Sequence, residues 1–373
     1  MRNKIDTIKS KTQKLIKLVI SNELLISLLV VAVVVLVGIF LGWENNKVVP
    51  VNHSVAAHYT KEPNNPLSFM SNWDGPLYIN IAHQGYTSLN STGYFPLYPI
   101  LIHIVNLIIS SPLYSALLIS WICFVLAVYF YIKIVKHLYG TSNNLESFRA
   151  VVFFILFPSG VVLLATYTES LFAFLALGAI YFALKKRLIP TAILTLFATA
   201  THFNGLFILV LVGLMLLEQR EKIVKILLTL AVGSLGLLSY MTFLYVKYRS
   251  PFEFILAQKT NGWLHSDYLH HLLSTFNILD IGGIALIVVS VYYWWSRKKS
   301  FAIYSLLYLL IPLVGGQFNG LYRYSLMAFP FQLMLYERFR KNQFAYATMI
   351  ALFGIFWGYF LLQYMGGYTG AGG

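Results

Sequence analysis

Long apolar stretches recur along this chain, and they constrain its fold more than any other feature. A helix that crosses a bilayer needs about 20 apolar residues, and shorter runs cross only where neighbouring helices bury their ends. Only 11% of the residues are charged and 58% are hydrophobic, whereas a soluble domain carries about 25% charged residues. The sequence therefore predicts an all-α polytopic membrane protein with about eleven transmembrane helices, and it excludes an ordinary soluble enzyme. The apolar runs lie near 24–41, 113–132, 150–166, 168–184, 188–201, 204–217, 226–246, 277–295, 301–315, 321–336 and 344–362.

The N-terminal arm, residues 1–23, is basic and precedes the first apolar run. A signal peptide also begins with basic residues, but its apolar core has only about 7–15 residues and ends at a small-residue cleavage site. The run from Leu24 to Leu41 is longer, and Trp43 and Glu44 follow it instead of such a site. We expect a retained first span with its N-terminus in the cytoplasm.

The net charge of +14 follows the membrane topology. All but six of the 27 Lys and Arg residues lie in the arm or in alternate loops between apolar runs, which is the positive-inside pattern. Nucleic-acid binding is therefore the weaker explanation of the charge. This alternation requires that residues 94–110 lie along the membrane surface or dip into it without crossing. The six exceptions, assigned to the outer side, are Lys47, Lys61, Lys247, Arg249, Lys259 and Arg323.

A candidate catalytic carboxylate, Asp74, lies in the first outer loop between Trp73 and the turn-forming pair Gly75-Pro76. A carboxylate at the membrane boundary could act as a general base on a hydroxyl that arrives from the outer face. Trp73 and Tyr78 are residue types typical of the interface. The alternative is an Asp that caps the helix beginning near Pro76.

Glu169 and Arg323 are the other charged candidates in outer turns. Glu169 could bind an acceptor sugar, assist Asp74 or bind a metal, or it could only stabilise the first turn of the next helix. Arg323 could bind the phosphate of a lipid-linked substrate, or it could be an interface anchor. No Walker loop, dinucleotide-binding fingerprint or His-Glu-x-x-His motif is present, so nucleotide-driven transport has no support.

Histidines offer two further candidate sites. His202 could contact a phosphate or a sugar hydroxyl, or it could be a capping residue at a helix end. The group formed by His265, Asp267, His270 and His271 matches none of the common zinc spacings, so a metal site is not expected there. Cys123 is the single cysteine, which excludes an intramolecular disulfide. The Gly-rich tail from Met365 onward is expected to be disordered.

Several short segments together resemble the PIG-V-type mannosyltransferases, the GPI mannosyltransferase II family with its prokaryotic relatives. They occur in the family's order over roughly residues 70–330. The chain departs from the family at His202 and Phe203, where relatives carry Arg and Pro. If that Arg serves the donor phosphate, either a protonated His202 or Arg323 has to take its place here. The segments are Asn72–Gly75, Ile81–Ala82 with Gly85–Tyr86, Phe95–Pro99, Phe157–Ser159, Tyr167–Phe172, Thr201–Gly205 and Arg323–Tyr324.

The resemblance implies a GT-C-type helical bundle whose long first outer loop bears short interfacial helices. It implies one integral-membrane domain over 1–373. This domain would comprise the arm 1–23, a catalytic module 24–217 with outer loop 43–93, and C-terminal helices 218–373 with outer loop 247–276. It also implies Asp74 and Glu169 as catalytic acids in the first two outer loops. The substrate-binding residues would be Trp73, Gly75, Tyr78, Tyr167, His202, Asn204, Arg323 and Tyr324.

The expected function is that of an inverting glycosyltransferase, a mannosyltransferase above all, that acts at the outer or lumenal membrane face. Its partners would be membrane lipids, a polyprenyl-phosphate sugar donor and a glycan or lipid acceptor, with no metal, no cofactor and no nucleic acid. The membrane would be the plasma membrane in a prokaryote or the endoplasmic reticulum in a eukaryote. The alternatives are a transporter or flippase, and another enzyme on the same fold such as a protein O-mannosyltransferase. Asp74, Glu169 and Arg323 lying more than roughly 15 Å apart, beyond the reach of one sugar, would favour transport.

Overall fold

The computed structural model describes residues 22–48, 65–261, 278–315 and 321–366. These residues form α-helices joined by short turns, with three 3₁₀ helices and no β-strand in the part of the chain described. The 3₁₀ helices are Ser68–Met70, Asn90–Gly93 and Pro158–Leu163. The α-helices are α1 (Glu23–Val48), α2 (Asp74–Gln84), α3 (Leu97–Ile109), α4 (Pro112–Tyr139), α5 (Asn144–Ile155), α6 (Glu169–Leu184), α7 (Leu188–Thr201), α8 (Gly205–Glu218), α9 (Ile223–Tyr248), α10 (Glu253–Thr260), α11 (Ile278–Trp295), α12 (Lys299–Gly315), α13 (Leu321–Ser325), α14 (Phe329–Phe339) and α15 (Gln343–Met365).

Four of the helices in the described ranges are long and apolar enough to cross a membrane, namely Glu23–Asn45 of α1, α4, α9 and α15. The apolar helices α3, α6, α7 and α8 are shorter, with 13, 16, 14 and 14 residues. The structure therefore confirms an all-helical membrane protein. It leaves the number of about eleven crossings as a prediction, because a short helix spans only where its neighbours bury its ends.

Two of the apolar runs do not form single helices, which corrects the sequence analysis. The run 150–166 ends its α-helix at Ile155 and continues as the buried 3₁₀ helix that begins at Pro158. The run 321–336 divides into α13 and α14, and Pro330 lies in the first turn of α14. Proline disfavours helical conformation in the residue before it and donates no hydrogen bond. Each run therefore breaks near its proline.

The segment 94–110 contains the regular helix α3, with Pro96 at its N-cap and Pro99 in its first turn. At 13 residues and 1.5 Å of rise per residue, α3 is roughly 20 Å long, which is less than the ~30 Å of a bilayer core. Tyr98 and Ile102 are buried, whereas Ile108 is 85% exposed. The interfacial position of α3 stays a prediction, because α7 and α8, at 14 residues each, are hardly longer.

Close backbone packing joins α7 to α9. A Cβ atom at Gly233 would lie 2.9 Å from Thr195 Cγ2, and one at Gly236 would overlap the carbonyl oxygen of Leu196. The side chain of Thr199 donates a hydrogen bond to the Gly233 carbonyl at 2.8 Å. Small residues that let helix backbones approach are the usual basis of helix association in membranes, where burial of apolar surface gives little driving force.

Ion pairs connect helices at the end of the bundle to which the sequence analysis assigned the basic loops. Each ion pair recorded among the described residues joins two residues assigned to the same side of the membrane. This is the arrangement that the charge assignment requires. On the side assigned to the cytoplasm, the pairs are Glu23 with Lys133 and Lys136, Glu221 with Lys186 and Lys225, Glu218 with Lys298, and Glu146 with Arg340.

Candidate active site

The loop before α2 places Asp74 at the first position of that helix. Trp73 is the N-cap residue, and its backbone has the positive φ of 56° that non-glycine residues rarely adopt. The Trp73 side chain makes no capping hydrogen bond, and Asp74 lies inside the helix, one position after the N-cap. The capping role considered for Asp74 therefore does not hold, and its carboxylate is available for contacts across the bundle.

The Asp74 loop packs tightly against the turn between the 3₁₀ helix Pro158–Leu163 and α6. Thr166 donates its backbone N–H to the Met70 carbonyl at 3.1 Å and its hydroxyl to Ser71 Oγ at 2.9 Å. A Cβ atom added at Gly75 would overlap Thr166 Oγ1. Only glycine at position 75 allows the two outer segments to approach this closely. The Asp74 loop therefore lies in direct contact with the turn that carries Glu169.

Arg323 joins the two candidate carboxylates. Its Nη1 lies 2.9 Å from Asp74 Oδ2, and its Nε lies 3.4 Å from Glu169 Oε1. The side chains of Arg323 and Glu169 are 6% and 7% exposed, and that of Asp74 is 16% exposed. The three groups thus meet at a single guanidinium, far inside the roughly 15 Å limit beyond which the transporter alternative would gain.

Aromatic side chains surround the guanidinium. The Arg323 guanidinium carbon lies 5.6 Å from the ring centre of Tyr167 and 5.0 Å from that of Tyr324, within the range of cation–π attraction. Arg323 Nη2 also donates to the Tyr324 hydroxyl at 3.2 Å. Its position therefore depends on charge, on hydrogen bonding and on stacking, and a snorkelling interface anchor would not be buried in this way.

Hydroxyl groups hold both carboxylates in place. Tyr94 donates to Asp74 Oδ1 at 3.3 Å, and the backbone N–H of Asp74 donates to the Tyr167 hydroxyl at 3.2 Å. Burial, together with the charge of Asp74, raises the pKa of Tyr94 and of Tyr167 well above the usual value, so both phenols stay protonated at neutral pH. Thr168 donates to Glu169 Oε2 at 3.4 Å.

Two of these hydroxyl residues, Tyr94 and Thr168, were not among the sequence candidates. Tyr94 begins the apolar segment 94–110, where a tyrosine is typical of the interface, so its residue type gave no signal. Thr168 precedes Glu169 and lies 3.4 Å from the predicted site residue Tyr78 through their hydroxyl oxygens. Its position beside a candidate acid was the available signal.

His202 lies beside the cluster but takes no part in its ion pairs. Its Nδ1 accepts the backbone N–H of Asn204 at 3.1 Å, so the ring carries its proton on Nε2. Burial, followed by the nearby charge of Arg323, lowers the pKa of His202 to about 3. The imidazole is therefore neutral at physiological pH. A protonated His202 in place of the family's Arg is inconsistent with this pKa, and Arg323 is the cation of the site.

A small cavity lies between the cluster and the turn that follows α7. The centre of a water molecule can occupy a volume of about 10 Å³ within it, so the cavity has room for roughly one water. A molecule larger than water therefore needs side-chain movement before it can reach Glu169 through this cavity. The lining residues are Glu169, Phe172, His202, Asn204, Arg323, Tyr324 and Met327.

The remaining sequence candidates divide into those that support the cluster and one that stands apart from it. Tyr78 contacts Tyr94 edge to face at 5.2 Å, and Asn204 orients His202. The indole N–H of Trp73 is buried and meets no hydrogen-bond partner among the described residues. Trp73 therefore borders Asp74 in sequence without contributing to the network around Arg323.

No group of three or more His, Cys, Asp or Glu side chains gathers at a metal-binding distance within the ranges that the structure describes. The group of His265, Asp267, His270 and His271 lies outside those residues. Independence of a metal stays a prediction.

The fold and the cluster define an integral membrane protein in which a guanidinium and two carboxylates from distant segments meet inside a helical bundle. Residues 12–246, more than half of the chain, match the family model described as mannosyltransferase (PIG-V), and the chain belongs to this family.

Two relatives illustrate the similarity. The chain is 29% identical over 116 residues to GPI mannosyltransferase 2 of Drosophila pseudoobscura pseudoobscura, an alignment that covers 29% of this chain and 26% of the relative. It is 30% identical over 164 residues to human GPI alpha-1,6-mannosyltransferase 2, which covers 42% of this chain and 32% of the relative. The chain thus matches about a quarter to a third of the length of these relatives.

Proposed function

We propose that the protein is an inverting mannosyltransferase with a GT-C-type bundle of about eleven spans. It transfers mannose from a polyprenyl-phosphate carrier to a hydroxyl of a lipid-linked or glycan acceptor. Membership of the PIG-V mannosyltransferase family supports the sugar and the reaction class. The observation that carries the proposal is the meeting of Asp74 and Glu169 on Arg323, since a glycosyl transfer needs both a base and a cation near one another.

In the proposed reaction, Asp74 is the general base. It takes the proton of the acceptor hydroxyl while the hydroxyl oxygen attacks the anomeric carbon from the side opposite the phosphate. The bond between the anomeric carbon and the phosphate oxygen breaks, and the polyprenyl phosphate leaves with that electron pair. Attack on the opposite side inverts the anomeric configuration. Asp74 suits this role because its carboxylate is the more exposed of the two, at 16% against 7% for Glu169.

Arg323 would stabilise the charge that develops on the leaving phosphate. Two phosphate oxygens can accept hydrogen bonds from the planar guanidinium side by side. A neutral His202 would add one donor, its Nε2–H, and no charge. Binding of the phosphate would compete with Asp74 for Nη1 of Arg323, and this competition would release the carboxylate to act as a base when the donor is present.

The acceptor approaches from the outer or lumenal face in this proposal, with the N-terminus in the cytoplasm. The membrane is the plasma membrane if the source is prokaryotic and the endoplasmic reticulum if it is eukaryotic. A lipid phosphate leaving group does not need a divalent ion to hold a nucleotide diphosphate, so we expect no metal requirement. A chelator that abolished transfer, with recovery on addition of Mn²⁺, would refute this part.

The test is mannosyl transfer from polyprenyl-phosphate mannose to a panel of acceptors, measured with Asp74→Asn and a matched control. Loss of a general base typically lowers the rate by 10²–10⁴-fold, and we expect that loss in Asp74→Asn with normal membrane insertion. Glu253→Gln is the control, because Glu253 is also buried, at 8% exposure, and begins α10 outside the cluster. Full activity in a correctly inserted Asp74→Asn protein would exclude Asp74 as the base.

A further inference from the structure

The C-terminal end of α15 is hydrogen-bonded to the loop that precedes Asp74. The backbone N–H of Asn72 donates to the Tyr364 hydroxyl at 3.2 Å, and the same hydroxyl donates to the Asn72 carbonyl, also at 3.2 Å. In return, Asn72 Nδ2 donates to the Tyr364 carbonyl at 2.9 Å. Both residues are buried, with Tyr364 at 0% and Asn72 at 5% exposure. Each residue thus satisfies polar groups of the other where water cannot replace them.

Tyr364 also touches the second support of Asp74. Its ring packs against the ring of Tyr167 with 5.7 Å between centres, and the Tyr167 hydroxyl accepts the backbone N–H of Asp74. The Tyr364 hydroxyl lies 3.5 Å from the Met70 carbonyl as well. One side chain therefore contacts both the loop before Asp74 and the tyrosine beneath it.

The loop needs such support because its conformation is not favoured locally. Trp73, between Asn72 and Asp74, has φ 56° and ψ −110°, and a non-glycine residue holds such a conformation only when its surroundings impose it. The hydrogen bonds from α15 act on the residue immediately before Trp73. They fix the direction in which the chain enters α2, and with it the direction of the Asp74 carboxylate toward Arg323.

We propose that Tyr364 is a positioning residue for mannosyl transfer: the end of α15 fixes the Asp74 loop through Asn72 and so sets the carboxylate against Arg323. This inference rests on the proposed function for its kinetic part and on the geometry alone for its structural part. α15 lies beyond residues 12–246, which match the family, so the family match does not assign this role. The tail expected to be disordered begins at Met365, whereas Met365 ends α15 and is 1% exposed, and Asn72 Nδ2 lies 3.5 Å from its carbonyl.

The experiment compares Tyr364→Phe with Tyr359→Phe on the same helix. Each variant loses one hydroxyl, but Tyr359 is 54% exposed and lies away from the loop. We expect Tyr364→Phe to lower kcat by about 10- to 100-fold, because misplacement of a reacting group by about 1 Å costs that much. KM for polyprenyl-phosphate mannose should change by less than about twofold, since the donor contacts do not involve Tyr364. Tyr359→Phe should behave as the wild type in both constants.

Hydrogen–deuterium exchange of the peptide that covers 68–76 gives a readout that does not need activity. It should be faster in Tyr364→Phe than in the wild type and unchanged in Tyr359→Phe. If no acceptor supports transfer but the exchange differs in this way, the proposed function fails and the contact remains. If transfer occurs and Tyr364→Phe keeps both wild-type kcat and wild-type exchange, the positioning role is refuted.

Asn72→Ser provides a second route to the same contact, should Tyr364→Phe not be recovered in folded form. It removes the Nδ2 donor and leaves the backbone N–H that meets the Tyr364 hydroxyl. We expect the same direction of change in kcat and in exchange. The double variant should lose less than the product of the two single losses, because both hydrogen bonds hold the same loop and residues in contact are not additive. Additive losses would show that the two residues act separately and would overturn the proposal.

Discussion

Removal of the Arg323 charge is the perturbation for which the structure predicts the largest loss of stability. Arg323→Gln leaves Asp74 and Glu169, both mostly buried, without the cation that lies 2.9 Å and 3.4 Å from them. Opposite charges about 4 Å apart attract by roughly 4 kcal/mol at an effective dielectric constant near 20. Loss of one partner from a buried ion pair costs about 3–5 kcal/mol. We expect Arg323→Gln to lower the free energy of unfolding by that amount.

Two further variants separate charge from packing. Arg323→Gln/Glu169→Gln returns the cluster to the net charge it has with both carboxylates ionised, so we expect it to recover part of the lost stability without recovering activity. Arg323→Lys keeps the charge but lacks the planar fork that reaches both carboxylates, so its stability should lie between those of the wild type and Arg323→Gln. These expected differences in stability among the three variants follow from the position of one guanidinium between two acids.

The assay is urea-induced unfolding of the purified protein in detergent, followed by tryptophan fluorescence. A double-mutant cycle on Arg323 and Glu169 gives their coupling, which should exceed 0.5 kcal/mol, the lower end of the range for residues in contact. A loss below about 1 kcal/mol in Arg323→Gln, a value ordinary for surface pairs, would refute the buried cluster. A coupling of zero between Arg323 and Glu169 would show that Glu169 does not belong to the buried cluster.

Three other outcomes follow from the site. The folded pKa of His202, about 3, lies below the ~6.5 of an unfolded chain, so the unfolded state binds more protons between these values and stability falls as pH drops through this window. His202→Gln should therefore lose less stability than the wild type on acidification from pH 7 to pH 4, measured by thermal unfolding. Gly75→Ala should reduce both stability and transfer because its Cβ would overlap Thr166 Oγ1, whereas Gly354→Ala in α15, where a Cβ meets nothing within 4 Å, should not. Transfer should persist in excess EDTA, and inhibition that Mn²⁺ reverses would contradict this.

The sequence was sufficient to predict an all-helical membrane protein, and it made the three charged residues candidates, because long apolar runs and charges beside them are clear local signals. Apolar runs report helices through their length, and a charged residue beside such a run is costly enough to indicate a role. The helix breaks near Pro158 and Pro330 were missed, although both prolines are visible, because hydropathy averaged over a run conceals them.

The contacts between distant segments could not be predicted from local signals. Asp74 and Arg323 are 249 positions apart in the chain, and nothing in either segment specifies the other. The same limit applies to Tyr94 and Tyr364. Each is one of 26 tyrosines, most of which suit an interface equally well, and their hydrogen bonds to the Asp74 loop exist only in the folded bundle. Residue type made the two acids candidates, whereas position in the fold shows which groups contact them.

Electrostatic balance decides how this cluster could accept a charged substrate. With both carboxylates ionised, the cluster has one net negative charge, and a donor phosphate would add another in a buried site. Nη1, Nε and Nη2 of Arg323 face Asp74, Glu169 and Tyr324, so a phosphate that binds two guanidinium nitrogens side by side would compete with these groups. Of these, Asp74 is the most readily released, since its carboxylate is the more exposed and water and Tyr94 can solvate it. Under the proposed function, donor binding would come first and free the base, so that Asp74 would be activated only when a sugar is present to transfer.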